Sequence, residues 1–267
     1  LSLATSYTDL AGNNGPDNET ENYVVDTRAP TVSSVAITSA EGRQTLGVYG
    51  FVNAGDNVSV TATFSEAVIV DNASGNPTLT LVVGSDNRTA TYTSGDNSTE
   101  LVFRYTIQAG DTDSDGISIR ANALDNNSST IRDRAGNIAT DLTHSEVSDN
   151  NGYIVDTTPP TVSSVAITSA TNKQYNFLNA GDVAEVKATF SESPISAVIV
   201  DNPSAATLTL VVGNEDNRTA IYNRGSGTVV SSAGSDNASL YFRYTIQATN
   251  TSGENDSDGI SIVANAL

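Results

Sequence analysis

The sequence contains no cysteine, no methionine and no tryptophan, and its 267 residues include a single histidine. Without cysteine the chain has no disulfide, so other interactions must hold it together. Because there is no methionine, we do not expect Leu1 to be a translation start, and we expect the chain to be cut or processed from something longer. His144 has no counterpart in the second half of the chain and is expected to be a solvated loop residue. A catalytic triad needs a positioned base, so we expect no enzymatic activity.

Positive charge is also scarce. Lysine and arginine number 12 against 31 aspartates and glutamates, which gives a net charge of −19. This balance argues against nucleic acid as a partner, because such binding depends on basic residues that neutralise phosphates, and against anionic membrane surfaces. No apolar run is long enough to span a bilayer, and no signal peptide is visible, so we expect no membrane insertion. The acidic composition fits solubility and a demand for cations.

What the sequence does contain is repetition. Residues 23–38 (YVVDTRAPTVSSVAIT) recur almost unchanged as residues 153–168 (YIVDTTPPTVSSVAIT). Proline fixes φ and favours an extended residue before it, so each copy predicts a last strand, a short stiff linker and the first strand of the next domain. We therefore predict a complete repeat at 27–156, and a repeat that lacks its closing strand at 157–267. Residues 1–26 are predicted to be the closing strand of a preceding repeat, or a strand donated to a neighbour.

Apolar residues alternate with polar ones along several segments of both repeats. In the first repeat the alternation covers residues 58–64, 79–83 and 101–107, and in the second it covers 186–190, 208–212 and 240–246. Turn signals are frequent, and no segment has helical periodicity. This pattern predicts an all-β fold of tandem immunoglobulin-like antiparallel β-sandwiches.

The two ends of the chain correspond to the same point within the repeat. Aligning Asp9 with Asp133 places Leu1 opposite Asp125, and Leu267 is the counterpart of Leu124. We expect either a slice of a longer periodic polymer or a subunit that lends its opening strand to another copy. A third interpretation stays open, in which the chain is a fragment left by proteolysis or by the choice of ends.

Five short motifs support a more specific comparison: residues 155–162 (VDTTPPTV), 179–182 (NAGD), 64–68 (FSEAV), 111–116 (DTDSDG) and 133–137 (DRAGN). With these motifs the whole chain resembles the tandem bacterial immunoglobulin-like repeats of giant calcium-dependent surface adhesins, including the extender repeats of repeats-in-toxin type adhesins. The resemblance implies a structural, calcium-stiffened rod, secreted or attached to a cell surface, that projects a terminal binding domain. It does not indicate what the parent protein adheres to.

The acidic motif Asp111, Asp113, Asp115 and Gly116 is the sharpest local signal for Ca²⁺. Alternating carboxylates can wrap one side of the ion, and the glycine allows a sharp turn. The twelfth position is Asn122 instead of glutamate, and a strand follows instead of a helix, so the loop is not an EF-hand. The second repeat offers as equivalents Glu254, Asp256 and Asp258. The alternative is a polar turn between strands, where Asp and Gly are common.

A second group of acidic residues lies in the linkers, turns and closing loops, and its members are further candidate calcium ligands. They are Asp26, Asp156, Glu66, Glu192, Asp56, Asp182, Asp9 and Asp133. If loops from neighbouring modules meet at a joint, a bound ion would link them, and without it the carboxylates would repel one another. The alternative is that each aspartate simply caps a turn.

The leading hypothesis is thus a structural repeat whose partners are neighbouring repeats of the same or an identical chain. The first alternative is a filament subunit, a possible homopolymer, joined by strand exchange through residues 1–25. The second alternative is a carbohydrate-binding module that uses as stacking surfaces Tyr92, Tyr105, Tyr222 and Tyr244. The alternation places Tyr105 and Tyr244 on the apolar side of a strand, so we expect both in the core.

Overall fold

The structure, a computed structural model, describes residues 8–13, 23–192, 198–200, 202, 204–213, 217–222, 229–230, 239–248, 259–265 and 267. These residues confirm the predicted all-β fold. The chain divides into two compact units, unit 1 (Leu1–Thr158) and unit 2 (Pro159–Leu267). In the described part of the chain, no helix is long and apolar enough to cross a membrane.

The described strands of unit 1 begin after the first linker. In chain order they are β1 (Val32–Glu41), β2 (Gln44–Leu46), β3 (Tyr49–Val52), β4 (Asn57–Asp71), β5 (Thr78–Val83), β6 (Asp86–Ser94), β7 (Ser98–Thr106), β8 (Thr112–Asp113), β9 (Leu124–Asp125), β10 (Thr130–Arg132) and β11 (Ile154–Asp156). A single 3-10 turn, Asn151–Tyr153, precedes β11. The long strands follow the alternation in the sequence, as in β5, where every second residue is buried.

Two sheets enclose the core of unit 1. The larger has the order β1-β4-β7-β6-β5-β9, with β10 paired to the end of β4, and the smaller has the order β2-β3-β11-β8. Leu79, Leu101 and Phe103 of the larger sheet are fully buried, and Val52 and Val155 of the smaller sheet belong to the same hydrophobic cluster. Burial of such side chains contributes roughly 1.5–3 kcal/mol each, so the two sheets stabilise one sandwich-like unit.

Strand β4 contains an interruption that matters for the site described below. Its pairing with β7 runs in register as far as Thr63 opposite Glu100, and resumes only at Val68 opposite Ser98. Residues 64–67 therefore leave the ladder with β7, as in a β-bulge, which commonly redirects a side chain. Beyond the interruption, β4 pairs with β10, with Arg132 opposite Ile69. The residues that follow β10 are thereby brought to the interrupted part of β4.

The closing strand β11 lies inside the smaller sheet. It is parallel to β3, with Ile154 opposite Phe51 and Val155 opposite Val52. On its other side it is antiparallel to β8. Residues 153–155 are almost completely buried, and Tyr153 and Val155 pack in the core. The end of the repeat is thus an integral part of the unit.

Unit 2 repeats the plan of the larger sheet. Its described strands are β12 (Val162–Ala170), β13 (Val183–Phe190), β14 (Val198–Ile199), β15 (Thr207–Val211), β16 (Asn217–Tyr222), β17 (Val229–Val230), β18 (Ser239–Thr245) and β19 (Ser261–Ile262). The main sheet has the order β12-β13-β18-β16-β15-β19, and its first five strands match β1-β4-β7-β6-β5 of unit 1, while β19 pairs where unit 1 has the bridge between Val82 and Ser118. The first strand pair keeps its register, with Val162 opposite Phe190 where unit 1 has Val32 opposite Phe64.

Candidate metal centre

Three predicted ligands meet at one end of unit 1. Each of Asp26, Glu66 and Asp133 offers a carboxylate oxygen, and these oxygens lie within 4.8 Å of one another. Asp26 is exposed, Glu66 is half-buried and Asp133 is buried, so the cluster extends from solvent into the protein. This is the one group of three acidic or histidine ligands that the described residues bring together so closely.

Each of the three side chains is placed by a different element. Asp26 lies in the first linker, where its Oδ1 accepts a hydrogen bond from the backbone N–H of Arg28 at 3.0 Å. Glu66 lies in the interrupted part of β4, beside Ser65, whose N–H donates to the carbonyl of Thr31. Asp133 directly follows β10, which pairs with the far end of β4. The linker, the bulge and the closing loop therefore converge.

Asp133 is held by a tight loop. Its Oδ1 accepts from the N–H groups of Gly136 and Asn137 at 2.7 and 2.8 Å, and its Oδ2 accepts from Asn137 Nδ2 at 2.7 Å. Gly136 has φ +98°, a conformation that glycine adopts without strain. Burial alone would raise the pKa of Asp133, but the hydrogen bonds from Asn137 and the backbone outweigh it, so the pKa is lowered. Asp133 is therefore ionised.

Asn137 also ties this loop to the linker. Its Nδ2 donates to the backbone carbonyl of Asp26 at 3.2 Å. One amide group thus contacts both Asp133 and Asp26, and it fixes their spacing. The sequence motif DRAGN contains Asn137, but the motif does not reveal this contact, because the partner at residue 26 is remote in the chain.

The mutual repulsion within the cluster affects the pKa of Glu66. Desolvation raises the pKa of its carboxyl group, and repulsion by Asp26 and Asp133 raises it further, while Arg28 opposes the shift. A carboxylate whose negative neighbours raise its pKa gains from a bound cation. The cluster thus favours positive charge more than an isolated surface carboxylate does.

The carboxylates adjoin an open cavity of about 470 Å³ that is lined by Val24, Asp26, Glu66, Ala67, Arg134 and Ala135. The cavity leaves space for water beside the cluster. Ca²⁺ takes six to eight hard oxygen ligands in flexible geometry and often retains water, so a set of three carboxylates with solvent access suits it. Mg²⁺ demands near-ideal octahedral geometry and is less suited to a ligand set spread over three separate elements.

The structure gives Asp111, from the sharpest sequence signal, a different set of partners. Its Oδ2 accepts from the hydroxyl of Tyr105 at 2.5 Å and from the N–H of Gln108 at 2.9 Å. Its Oδ1 pairs with Arg88, at 2.8 Å from Nε and 2.7 Å from the terminal nitrogen. Both oxygens are occupied by donors from the protein, and the residue is buried. Asp111 therefore serves as a structural anion.

These contacts change the ionisation of both partners. Burial would raise the pKa of Asp111, but the bonds from Tyr105, Gln108 and Arg88 outweigh it, and the pKa is lowered. For Tyr105, burial and the bond to Asp111 raise the pKa to about 12. The acidic motif does not indicate Arg88 and Tyr105 as partners of Asp111, because both lie outside it, on β6 and β7.

The rest of this loop is built around Asp113. Its Oδ2 accepts from the N–H of Gly84 at 2.7 Å, and its Oδ1 accepts from the N–H of Gly116 at 2.8 Å. Desolvation raises the pKa of Asp113 in spite of these bonds. Asp113, Asp115 and Asp111 are not among the described carboxylates that cluster within 4.8 Å. Calcium binding by this loop stays a prediction.

The other predicted ligands fall into three classes. The first caps turns: Asp56 Oδ2 accepts from the N–H of Asn53 at 2.8 Å, and Asp182 Oδ2 accepts from that of Asn179 at 2.7 Å. The second comprises Asp9, Asp156 and Glu192, which belong to no group of three close carboxylates among the described residues. The third lies outside the described residues, and comprises Glu254, Asp256 and Asp258.

His144 has a more definite place than a solvated loop residue. It is half-buried, and its Nε2 accepts a hydrogen bond from the backbone N–H of Ala123 at 2.8 Å. Its Nδ1 lies 2.7 Å from the carbonyl of Ser145, so the proton is on Nδ1. The ring joins the closing segment to the loop before β9, which is a structural role.

Comparison with known proteins adds no relative. No protein-family model, curated protein or solved structure matches the chain.

Proposed function

We propose that the chain is a structural repeat of an extracellular, calcium-stiffened rod that projects or connects other domains. The observation that carries this proposal is the meeting of Asp26, Glu66 and Asp133 within 4.8 Å. The repeated sandwich plan and the net charge of −19 support it, because tandem modules build length and acidic clusters favour divalent cations. The proposal also places the protein outside the cell or on its surface.

In this proposal Ca²⁺ acts on flexibility and takes no part in chemistry. Asp26 belongs to the linker that enters unit 1, while Glu66 and Asp133 belong to the body of the unit. A shared ion would neutralise their mutual repulsion and tie the linker to the body. Calcium sites of extracellular modules typically have Kd values of about 10⁻⁴–10⁻³ M, which suits a site with few protein ligands.

Isothermal calorimetry and small-angle scattering with Ca²⁺ and with a chelator test the proposal. We expect one site to be lost in Glu66→Gln, since this variant keeps the shape of the side chain and removes the charge. Glu100→Gln is the matched control, because Glu100 is exposed and lies outside the cluster. In scattering, calcium should narrow the distribution of particle lengths for the wild type and for the control. The same distribution should narrow less for Glu66→Gln.

Two results would contradict this function. One is calcium affinity that is equal in Glu66→Gln and in Glu100→Gln. The other is a scattering profile of the wild type that is identical with calcium and with chelator.

The carbohydrate-binding alternative gains no support from the tyrosines on which it depended. Tyr105, Tyr222 and Tyr244 are buried in the two cores, and Tyr92 is half-buried with an edge-to-face contact to Phe103 at 6.1 Å. A stacking platform needs an exposed ring face, so these four side chains serve packing.

A further inference from the structure

The repeated sequence before each linker has two different environments. Residues 153–155 (Tyr-Ile-Val) are 7%, 3% and 3% exposed, because they belong to the end of the 3-10 turn and to β11. Residues 23–25 (Tyr-Val-Val) are 86%, 96% and 83% exposed and belong to no described strand. Three consecutive large apolar side chains that are exposed to solvent are typical of a surface that binds another segment or protein. We call residues 23–26 the donor segment.

Unit 2 contains the edge that such a segment would cover. In unit 1, Gln44 pairs with Phe51, and β11 lies along the other side of Phe51. In unit 2, Gln174 pairs with Phe177 in the same antiparallel bridge, through hydrogen bonds of 2.9 and 2.8 Å. No described strand of unit 2 is paired along the other side of Phe177, whose side chain is 73% exposed. We call residues 175–178 the acceptor edge.

Charge complementarity supports the match. In unit 1, the guanidinium of Arg43 lies 5.1 Å from the centre of the Tyr153 ring, and its Nη1 donates to the carbonyl of Gly152 at 3.0 Å. Lys173 occupies the corresponding place in unit 2, directly before Gln174. A tyrosine that enters as Tyr153 does would meet this cation, and a cation–π contact would follow.

The opening segment, residues 8–13, provides a second observation that does not depend on residues 23–26. Asp9 Oδ1 accepts from the N–H of Asn13 at 2.9 Å, and its Oδ2 accepts from Asn13 Nδ2 at 2.8 Å. Asp133 and Asn137 form the same pair of bonds in unit 1. The opening segment thus presents, already formed, the loop that a complete repeat uses before its closing strand.

We infer that the donor segment of one copy of this chain adds as a parallel strand to the acceptor edge of a second copy. By analogy with β11, Val24 lies opposite Phe177 and Val25 opposite Leu178, with Tyr23 beside Lys173. The contact is β-strand addition, in which backbone hydrogen bonds give affinity and side-chain pockets fix the register. It joins unlike surfaces head to tail, so each copy that adds leaves a donor segment and an acceptor edge free for further copies.

The inference does not rest on calcium, so it is tested in chelator, where failure of the proposed function has no effect on the result. Analytical ultracentrifugation of residues 1–267 from micromolar to millimolar concentration should show particles that grow with concentration. Val24→Asp on the donor segment and Phe177→Asp on the acceptor edge should each raise the Kd of association at least about tenfold, because both bury a charge. Val48→Asp is the control, since Val48 is 76% exposed and lies outside both surfaces.

Mixing the two variants makes the test specific. Val24→Asp keeps its acceptor edge and Phe177→Asp keeps its donor segment, so the mixture should form a 1:1 dimer that cannot extend. Far-UV circular dichroism should be unchanged in both, since both side chains are exposed. A wild type that remains monomeric would overturn the inference, and this includes a donor segment that folds onto its own unit 2. Growth that persists in Val24→Asp, or a mixture without dimers, would overturn it as well.

Discussion

Replacing Asp111 by alanine is expected to destabilise unit 1 while unit 2 is unchanged. The carboxylate accepts hydrogen bonds from Tyr105, Gln108 and Arg88 and is itself buried. Its removal leaves the Tyr105 hydroxyl and the Gln108 N–H in the protein without their acceptor. It also leaves the Arg88 guanidinium without its closest anion.

The magnitude follows from these three losses. A buried donor without a partner costs about 1–3 kcal/mol, and breaking a buried ion pair costs about 3–5 kcal/mol. The Arg88 side chain is 30% exposed and also lies 3.0 Å from Asp86, so it retains water and a second anion. The cost of the broken ion pair is therefore well below the buried limit. We expect the free energy of unfolding of unit 1 to fall by about 2–4 kcal/mol.

Hydrogen exchange in increasing urea, read by mass spectrometry, measures the two units separately through their peptides. Unit 2 is an internal reference, and Asp86→Asn is the matched control. Asp86 is 62% exposed, so its bond to Arg88 should contribute less than about 1 kcal/mol. If Asp111→Ala lowers the stability of unit 1 by no more than Asp86→Asn does, our assignment of Asp111 as a structural anion is wrong.

Three further outcomes are expected. Gly116→Ala should destabilise unit 1 by more than about 2 kcal/mol in urea unfolding, because φ is +98° and the new Cβ would overlap the carbonyl of Asn150. Gly110→Ala is the control, since Gly110 has a similar φ but open space around it, and this variant should cost about 1 kcal/mol. Equal losses of stability in the two variants would contradict this explanation. The stability that Asp111 contributes should be complete above its ordinary pKa of 3.8 and should be lost as the pH falls through the lowered pKa of the folded state. Acid should therefore destabilise the wild type more than Asp111→Asn, which thermal unfolding at stepped pH measures. Calcium affinity measured by calorimetry should begin to fall at a pH above 4.5, the ordinary pKa of Glu66, because the pKa of Glu66 is raised and protons compete with the ion. A calcium affinity that does not change down to pH 4.5 would exclude Glu66 as a ligand.

The fold class could be predicted from sequence because the large strands obey a local rule. In β5 and β7 the apolar residues alternate, and the structure buries the same alternate residues. The closing part of the repeat has no such signal. Ile119 and Val147 meet there in an isolated bridge, and β11 has only three residues. Short pairings between remote segments depend on the rest of the unit, so local patterns do not reveal them.

The candidate site shows the same limit. Sequence indicated Asp26, Glu66 and Asp133 as possible ligands, together with acidic residues that do not join them. What distinguishes these three is the interruption of β4 and the pairing of β10 with its far end. Neither is visible in the motifs, because each is set by the register of strands remote in the chain.

The dense motif around Asp111 and the dispersed cluster differ in how far protein donors already occupy their carboxylate oxygens. A run of alternating aspartates lies within one loop, where nearby N–H groups and a basic side chain compete for the oxygens, and in Asp111 and Asp113 these donors have taken them. In the cluster the carboxylates come from separate elements, and Glu66 has two negative neighbours that raise its pKa. A cation is favoured where protein donors do not already neutralise the charge. The charge that protein donors leave unneutralised therefore lies with Glu66, and this is why we place the proposed calcium site at the cluster and not at the loop with the most aspartates.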